Sequence, residues 1–414
     1  MSNNLSKSLH HHRLPPAFQR LAWSNLIAQS ADQVALAATP MVAVLALGAG
    51  AGSTGLLTAA QTLPFLLLSF PAGVIADRTA RRSLMAMAEA VRCVALLSLP
   101  LLIAFDWLSV PVLALIGFLA ATGTVAFSVA APALVPALVP RQDFAAANGR
   151  LELARSTAFA AGPALAGAVV AWLGASPTFL LAAALSATAA MLLIGIPEPQ
   201  RPAQPPRHIV SDLKEGAGFV WQHEWLRPIL LTAVVWNISW FVLQAAFVPY
   251  AVHRLGLSAT GVGVTLAVYG IGMVAGALLA SRIVAWMSFG NAVAFGPLVS
   301  VAAIVAMVAT LQWPSGALAG LSFFLFGAGP IVWVISSTTL RQAVTPEALL
   351  GRVSALFMTA NTGARPIGAA LGGLIGAGYG AEACIVVACI GFLLQAAIIL
   401  RSPVPALERL PAVA

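Results

Sequence analysis

The sequence predicts an all-α integral membrane protein of about twelve transmembrane helices arranged as two six-helix repeats, and three observations carry that prediction. Of its 414 residues, 60% are hydrophobic and 8% are charged, whereas roughly a quarter are charged in a soluble globular domain. Apolar runs of about 20 residues, the length that crosses a bilayer as a helix, recur along the whole chain. Landmarks also return at nearly one shift. Gly73 and Gly276, like Pro163 and Pro366, stand 203 residues apart, and Gly149-Arg150 and Gly351-Arg352 stand 202 apart. Pro140 and Pro346, each ahead of an acidic residue, pair at a shift of 206 and need a small gap. Parallel repeats of six helices are a transporter architecture, with substrate held near the midplane between two halves that rock.

Taken in order, residues 1–20 are polar and read as a cytoplasmic tail, since no short apolar core with a cleavage site marks a signal peptide. His10, His11 and His12 form a run without further ligands in that tail, and no metal site is expected there. The first six spans fall near 21–47, 54–75, 84–105, 110–131, 148–173 and 178–196, within a bundle of residues 21–196. A proline-rich stretch over 197–206 opens a linker of residues 197–227. Along 209–225 the linker interleaves Ile209, Leu213, Phe219, Val220 and Trp225 with Asp212, Lys214, Glu215 and Glu224, a pattern that suits an amphipathic helix on the membrane face. The second six spans fall near 228–252, 260–280, 292–311, 317–336, 353–375 and 383–400, a bundle of residues 228–400 followed by a tail of residues 401–414.

Basic residues collect in alternate loops. Lys7, Arg13 and Arg20 precede the first span, Arg78, Arg81 and Arg82 follow the second, and Arg141 and Arg150 flank the next such loop. Arg201, Arg207, Lys214, Arg227, Arg282, Arg341, Arg352, Arg401 and Arg409 continue the series, with Arg254 alone on the opposite side. This bias places both termini in the cytoplasm and the protein in the cytoplasmic (inner) membrane. The net charge of +8 is scattered over these loops and forms no stripe or tail of the kind that binds nucleic acid. Cys93, Cys384 and Cys389 all stand inside apolar runs as small hydrophobes. No nucleophile–base–oxyanion set, phosphate loop or metal-ligand cluster is present in the pattern, so neither an enzyme nor a cofactor is expected.

The stretch Gly73-Val74-Ile75-Ala76-Asp77-Arg78-Thr79-Ala80-Arg81-Arg82 packs its charges between two apolar runs and reads first as a cytoplasmic turn. Its pattern G-x-x-x-D-R-x-x-R-R resembles the loop signature between the second and third helices of the major facilitator superfamily, with Ala80 where that family usually has glycine. More narrowly, Leu138-Val139-Pro140-Arg141 through Ala147-Asn148 to Ala161-Gly162-Pro163-Ala164-Leu165-Ala166-Gly167 resembles the branch of enterobactin-type siderophore exporters and macrolide efflux proteins. Arg341-Gln342, Pro346-Glu347 and Gly351-Arg352 are similar to the matching loop of that branch. Gly162, Pro163 and Gly167 also resemble the fifth-helix motif of antiporters, although Ala166 replaces one glycine. The arginine of the fourth-helix motif of many proton-coupled exporters is absent, because the run 110–131 holds no charge.

Candidate site residues follow from charge inside the spans. A carboxylate in a spanning helix is costly and tends to serve function, which singles out Asp32. Asn25, Gln29 and Asp32 stand at i, i+4 and i+7 and share a helical face, expected to line a central cavity. Arg365 lies at a matching depth in the eleventh span, and pairing of Asp32 with Arg365 across the halves in one transport state is a candidate coupling device, against a bland reading in which Arg365 is satisfied elsewhere. Glu89 with Arg92, and Glu152 with Arg155, have the spacing of intrahelical ion pairs, and both are expected to join Asp77, Arg78, Arg81 and Arg82 in an inner gate. Gly73 anchors the loop motif, while Gly162, Pro163 and Gly167 permit a bend and close packing. Trp236, Trp240 and Phe241 with Asn237 and Gln244 offer an aromatic and amide lining for a partly apolar ligand.

The function expected is alternating-access export of a lipophilic small molecule (drug, siderophore or secondary metabolite) driven by proton inflow, with the bilayer and protons as partners and a monomer as the favoured state. Proton-coupled uptake and a non-transporting membrane receptor or scaffold are the alternatives, separable by substrate flux in vesicles under an imposed pH gradient.

Overall fold

The computed structural model describes residues 15–140, 143–197 and 209–411. The histidine run, Lys7, Arg13, Arg141, most of the proline-rich stretch, Arg201 and Arg207 lie outside them, as do the surroundings of Gly73 and the side chains of Asp77 and Arg78. The described chain runs through α1 (Pro16–Leu47), α2 (Ala51–Arg78), α3 (Arg81–Ala104), α4 (Val110–Leu138), α5 (Phe144–Leu173), α6 (Ala175–Ile194), α7 (Ile209–Gln222), α8 (Leu226–His253), α9 (Ala259–Trp286), α10 (Phe289–Ala309), α11 (Gly316–Val344) and α12 (Glu347–Leu400). Eleven of these helices are long and apolar enough to cross a membrane.

α12 makes two crossings. Gly380 stands inside it at φ 83, a left-handed conformation that glycine adopts without a Cβ clash. The chain turns back there. Cys384 Sγ lies 3.3 Å from the Gly372 carbonyl oxygen, and Gly368 and Gly391, on either side of the turn, pack against the adjacent residues Ile238 and Ser239 of α8. The two limbs of α12, 347–379 and 381–400, thus complete a count of twelve crossings, with α7 as an extra non-spanning helix.

Local sequence explains the ends. Pro16 opens α1, where its missing N–H is no loss, and Gly48 closes it at φ 64. Ser258, Ser288 and Ser315 cap α9, α10 and α11 by accepting backbone N–H groups of Gly261, Asn291 and Leu318. Helices also outrun their apolar stretches at the end that carries the start of α1. α2 continues through Gly73 to Arg78, and the turn before α3 is only Thr79-Ala80. The stretch read from sequence as a loop is therefore mostly helix. Hydropathy marks where lipid ends, whereas the helix continues into water that solvates its charges.

Six crossings return the chain to the side on which it began, called here the near end, and the last six do so again. At the near end, Arg20 and Arg82 each donate at 2.7 Å to the closing carbonyls of α6, Gly195 and Ile196, cations placed where the helix dipole favours them. The amphipathic α7 docks on protein as well as facing outward: Val220 is fully buried in a cluster with Leu226, Val293, Leu340, Val353 and Phe357, while Trp221 is exposed. Glu215 pairs with Arg352 at 2.8 Å and ties α7 to α12. At the far end Arg254 pairs with Glu382 at 3.2 Å.

Among the first six helices, α1 packs on α5 and α6, and α3 on α4 and α6. In the later ones, α8 packs on α12, and α11 on α9 and α10. Across the two sets, α2 packs against α12 and α8, and α5 against α9. These crossings tighten in the far half of the helices. A Cβ added to Gly55 would overlap the backbone of Gly373, and a Cβ on Gly167 would stand 2.9 Å from the Gly263 Cα, so the glycines bring backbones together as small residues do in lipid. Thr54 adds a hydrogen bond to the Ala245 carbonyl at 2.6 Å. Nearer the start of α5 and α12, Asn148, Arg150, Met358 and Thr359 are exposed.

Candidate functional site

A polar cluster is buried among the first six helices. α3 carries Glu89 and Arg92 one turn apart, 0% and 2% exposed, and they form an ion pair at 2.9 Å. The same Arg92 nitrogen donates to the Ala28 carbonyl of α1 at 3.1 Å. The other terminal nitrogen, Nη2, donates to Thr124 Oγ1 of α4 at 2.8 Å. Thr124 in turn donates to Asp32 Oδ1 at 2.7 Å. Gly123 makes this reach possible, since a Cβ there would stand 2.6 Å from the Ala88 carbonyl oxygen and would push α4 off α3.

The chemistry of the cluster is a matter of charge count. Two carboxylates face one guanidinium, so with all three ionised one negative charge is uncompensated in a membrane interior, where net charge is expensive. Binding one proton removes it. Thr124 relays between the two ends, accepting from the guanidinium and donating to the carboxylate. Asp32, Thr39, Gln61 and Arg92 open on a narrow, mostly apolar cleft whose walls include Leu96, Leu99, Leu113 and Ile116.

Several expectations need correction. The cavity-lining face of α1 is not continuous: Asn25 is 5% exposed and its amide donates to the Leu151 carbonyl at 3.2 Å, clipping α1 to α5. Gln29 is half-buried, and Asp32 alone of the three joins the cluster. Matching depth does not bring Asp32 to Arg365 in this conformation, because Asp32 is turned toward α3 and α4. Glu89 and Arg92 belong to the interior, not to a near-end gate; at about 1.5 Å per residue Arg92 is roughly 16 Å up α3 from Arg81. Glu152 and Arg155 do pair, at 2.9 Å, on a half-exposed face of α5, and Arg155 lies over the Phe159 ring at 5.3 Å.

Trp240 is a core residue. It is 6% exposed, stacked on Trp236 and Tyr269 and edged by Phe323 and Phe326. Trp236 donates to Ser300 Oγ at 3.0 Å, and Asn237 to the Ala233 carbonyl at 2.9 Å; with Gln244 it is half-buried. Phe241, one position on, points elsewhere: its ring and that of Phe65 from α2 flank the Arg365 guanidinium at 5.9 and 5.7 Å. Of the α5 motif, Gly162 packs on Gln33 of α1 and Gly167 on α9, so the motif holds helices close, and Pro163 sits within a continuous helix. Gly373 was read as a packing residue of the eleventh span, and it does pack, against Gly55; Thr124, Phe65, Gly55 and Gly263 were not singled out by sequence. The signal available for the glycines was their density in facing spans, and a threonine in an apolar run gave none.

Comparison with known proteins follows the same lines. The family model for the Major Facilitator Superfamily matches residues 21–369. The chain is 29% identical over 244 residues to the multidrug efflux pump Tap of Mycobacterium tuberculosis, a match covering 56% of this chain and 58% of that one. It is 27% identical over 309 residues to the enterobactin exporter EntS of Escherichia coli, covering 74% of this chain and 72% of that one. The crystal structure of a bacterial homologue of the iron transporter ferroportin in its inward-facing state superimposes with a TM-score of 0.73 at 17% identity, over 93% of this chain and 98% of the other.

Proposed function

From the premise that the chain belongs to the Major Facilitator Superfamily, we propose that this transporter exports a lipophilic small molecule across the cytoplasmic membrane by alternating access, driven by proton inflow. The observation that carries the reading is the interior set of half-buried Asp32 with buried Thr124, Arg92 and Glu89, in which two carboxylates share one guanidinium. In the protonated state the cluster is neutral; loss of the proton restores a charge that favours rearrangement around Arg92. Seen with the near end as cytoplasmic, the glycine contacts of α2 with α12 and α5 with α9 close the outer side, so this conformation is inward-facing. That Tap is a multidrug efflux pump and EntS an enterobactin exporter supports export over uptake.

Purified protein in liposomes under an imposed pH gradient tests this, with a panel of lipophilic dyes and antibiotics as probes. The expected result is saturable flux of at least one probe that collapses when an uncoupler dissipates the gradient. Asp32→Asn should insert and express normally yet lose gradient-driven flux to background. Gradient-driven efflux by Asp32→Asn at the wild-type rate would overturn the coupling role, and probe binding without flux would favour a receptor.

A further inference from the structure

Arg365 is the one charged group in the first limb of α12 that lies deep within the membrane, and its surroundings differ from those of Arg92. Arg92 has a carboxylate, a hydroxyl and a carbonyl as acceptors. Arg365 has two aromatic rings instead, Phe65 from α2 and Phe241 from α8; its Nε, like that of Arg92, is buried with no hydrogen-bond partner among the described residues. Among the described residues, the ionisable groups nearest in effect are the phenol of Tyr269 and Arg155, a second cation already bonded to Glu152. Ring faces attract a guanidinium, but they accept no in-plane hydrogen bonds and carry no compensating charge. A cation left this way inside a membrane is expensive and marks a site whose partner arrives from outside.

Position adds a second argument. Gly363 and Gly368, on either side of Arg365, are pressed against Leu66 of α2 and Ile238 of α8, so the guanidinium sits just beneath the far-end closure where both sets of helices meet. A ligand that reached it from the near end would touch α2, α8 and α12 together.

We propose that Arg365, flanked by Phe65 and Phe241, is the binding site for the anionic group of the transported molecule, and that the substrates are lipophilic, aryl-bearing acids. The planar fork of the guanidinium matches a carboxylate, and the flanking rings provide the apolar faces against which an aryl body stacks. The anion site is then opposite in sign to the Asp32 cluster and lies on different helices, so a proton and an organic anion have separate seats in one carrier. This inference rests on the reading of the chain as a carrier of lipophilic molecules and narrows its substrate class.

The test is equilibrium binding to the full chain in lipid nanodiscs, without a gradient, using three probes of one shape: 2-naphthoate, 2-naphthamide and 2-naphthylmethylammonium. Wild-type protein should bind naphthoate roughly tenfold or more tightly than the amide, as a charge-assisted bidentate contact implies, and the ammonium least. Arg365→Gln should bring naphthoate down to the level of the amide and leave the amide unchanged. Arg365→Lys should recover part of the preference, since it keeps the charge without the fork, and Phe241→Leu should weaken naphthoate and amide alike. Equal binding of the acid and amide by the wild type, or naphthoate binding undiminished in Arg365→Gln, would overturn the site. The wild-type comparison alone decides if Arg365→Gln does not fold. Because no gradient is involved, failure of proton coupling leaves this measurement intact, and intact flux without acid preference overturns the anion site only.

Discussion

A threonine in a spanning helix ordinarily bonds only the carbonyl of its own preceding turn. Yet Thr124 joins the two charged ends of the cluster, at 2.8 Å to Arg92 and 2.7 Å to Asp32. Thr124→Val keeps the shape and removes the hydroxyl, leaving a buried guanidinium donor and a carboxylate acceptor each without that partner. Each orphaned group costs about 1–3 kcal/mol, more when charged, so the purified protein should unfold at a clearly lower temperature in detergent micelles. Thr124→Ser retains the hydroxyl and should stay close to wild type. Equal melting of the valine and serine variants would mean that the hydroxyl relay contributes nothing. The same reasoning explains the misplacement of Glu89 and Arg92: their spacing showed that they pair, but spacing along one helix does not say which neighbour closes over the pair.

At the scale of helices, the number of spans and the turn-back within the last apolar region follow from hydropathy, and the near-end extensions of α2 and α11 do not. Lipid thickness limits an apolar run, whereas backbone hydrogen bonding continues a helix into water, so α2 reaches Arg78 and α11 reaches Val344. The far-end closure was half legible. Gly167 and Pro163 stood out by motif, but their partners across the molecule could be found only once α5 was laid against α9. α2 with the first limb of α12, and α9 with α5, occupy equivalent places in the two repeats, and each pair meets through glycine. Gly55→Leu or Gly167→Leu puts a side chain where backbones now touch, and the local strain is relieved by parting the helices. Spin labels at Asp106 and Gln312, in far-end turns of the two repeats, should report a longer separation in either variant by pulsed dipolar spectroscopy, with the fold retained. An unchanged distance distribution would show that the glycine contacts do not hold the far end shut.

For the molecule as a whole, closure at one end requires a device that closes the other, and α2 carries a candidate for each. Its first turns seal against α12, and its last residues are Asp77 and Arg78. Arg20 and Arg82 nearby hold the closing carbonyls of α6, so these two arginines serve the architecture of the first repeat. The repeat itself, legible from shifts near 203, identifies what is special about the other charges: Gly73 has its counterpart in Gly276, but Ala280 and Ser281 stand where Asp77 and Arg78 would recur. A charge needed only for orientation would not require an acidic partner, and Arg282 follows α9's apolar run without one. We propose that Asp77 and Arg78 form a near-end latch when the far end opens, since this charged pair occurs in one repeat and not the other. Asp77→Asn or Arg78→Ala should leave insertion and orientation intact and bias the carrier toward the conformation seen here, with its far end closed. Labelling of a reporter cysteine at Thr359, exposed toward the near end of α12, by a membrane-impermeant maleimide in inside-out vesicles should be faster in both variants than in the parent, whereas equal labelling rates would remove the latch from the mechanism.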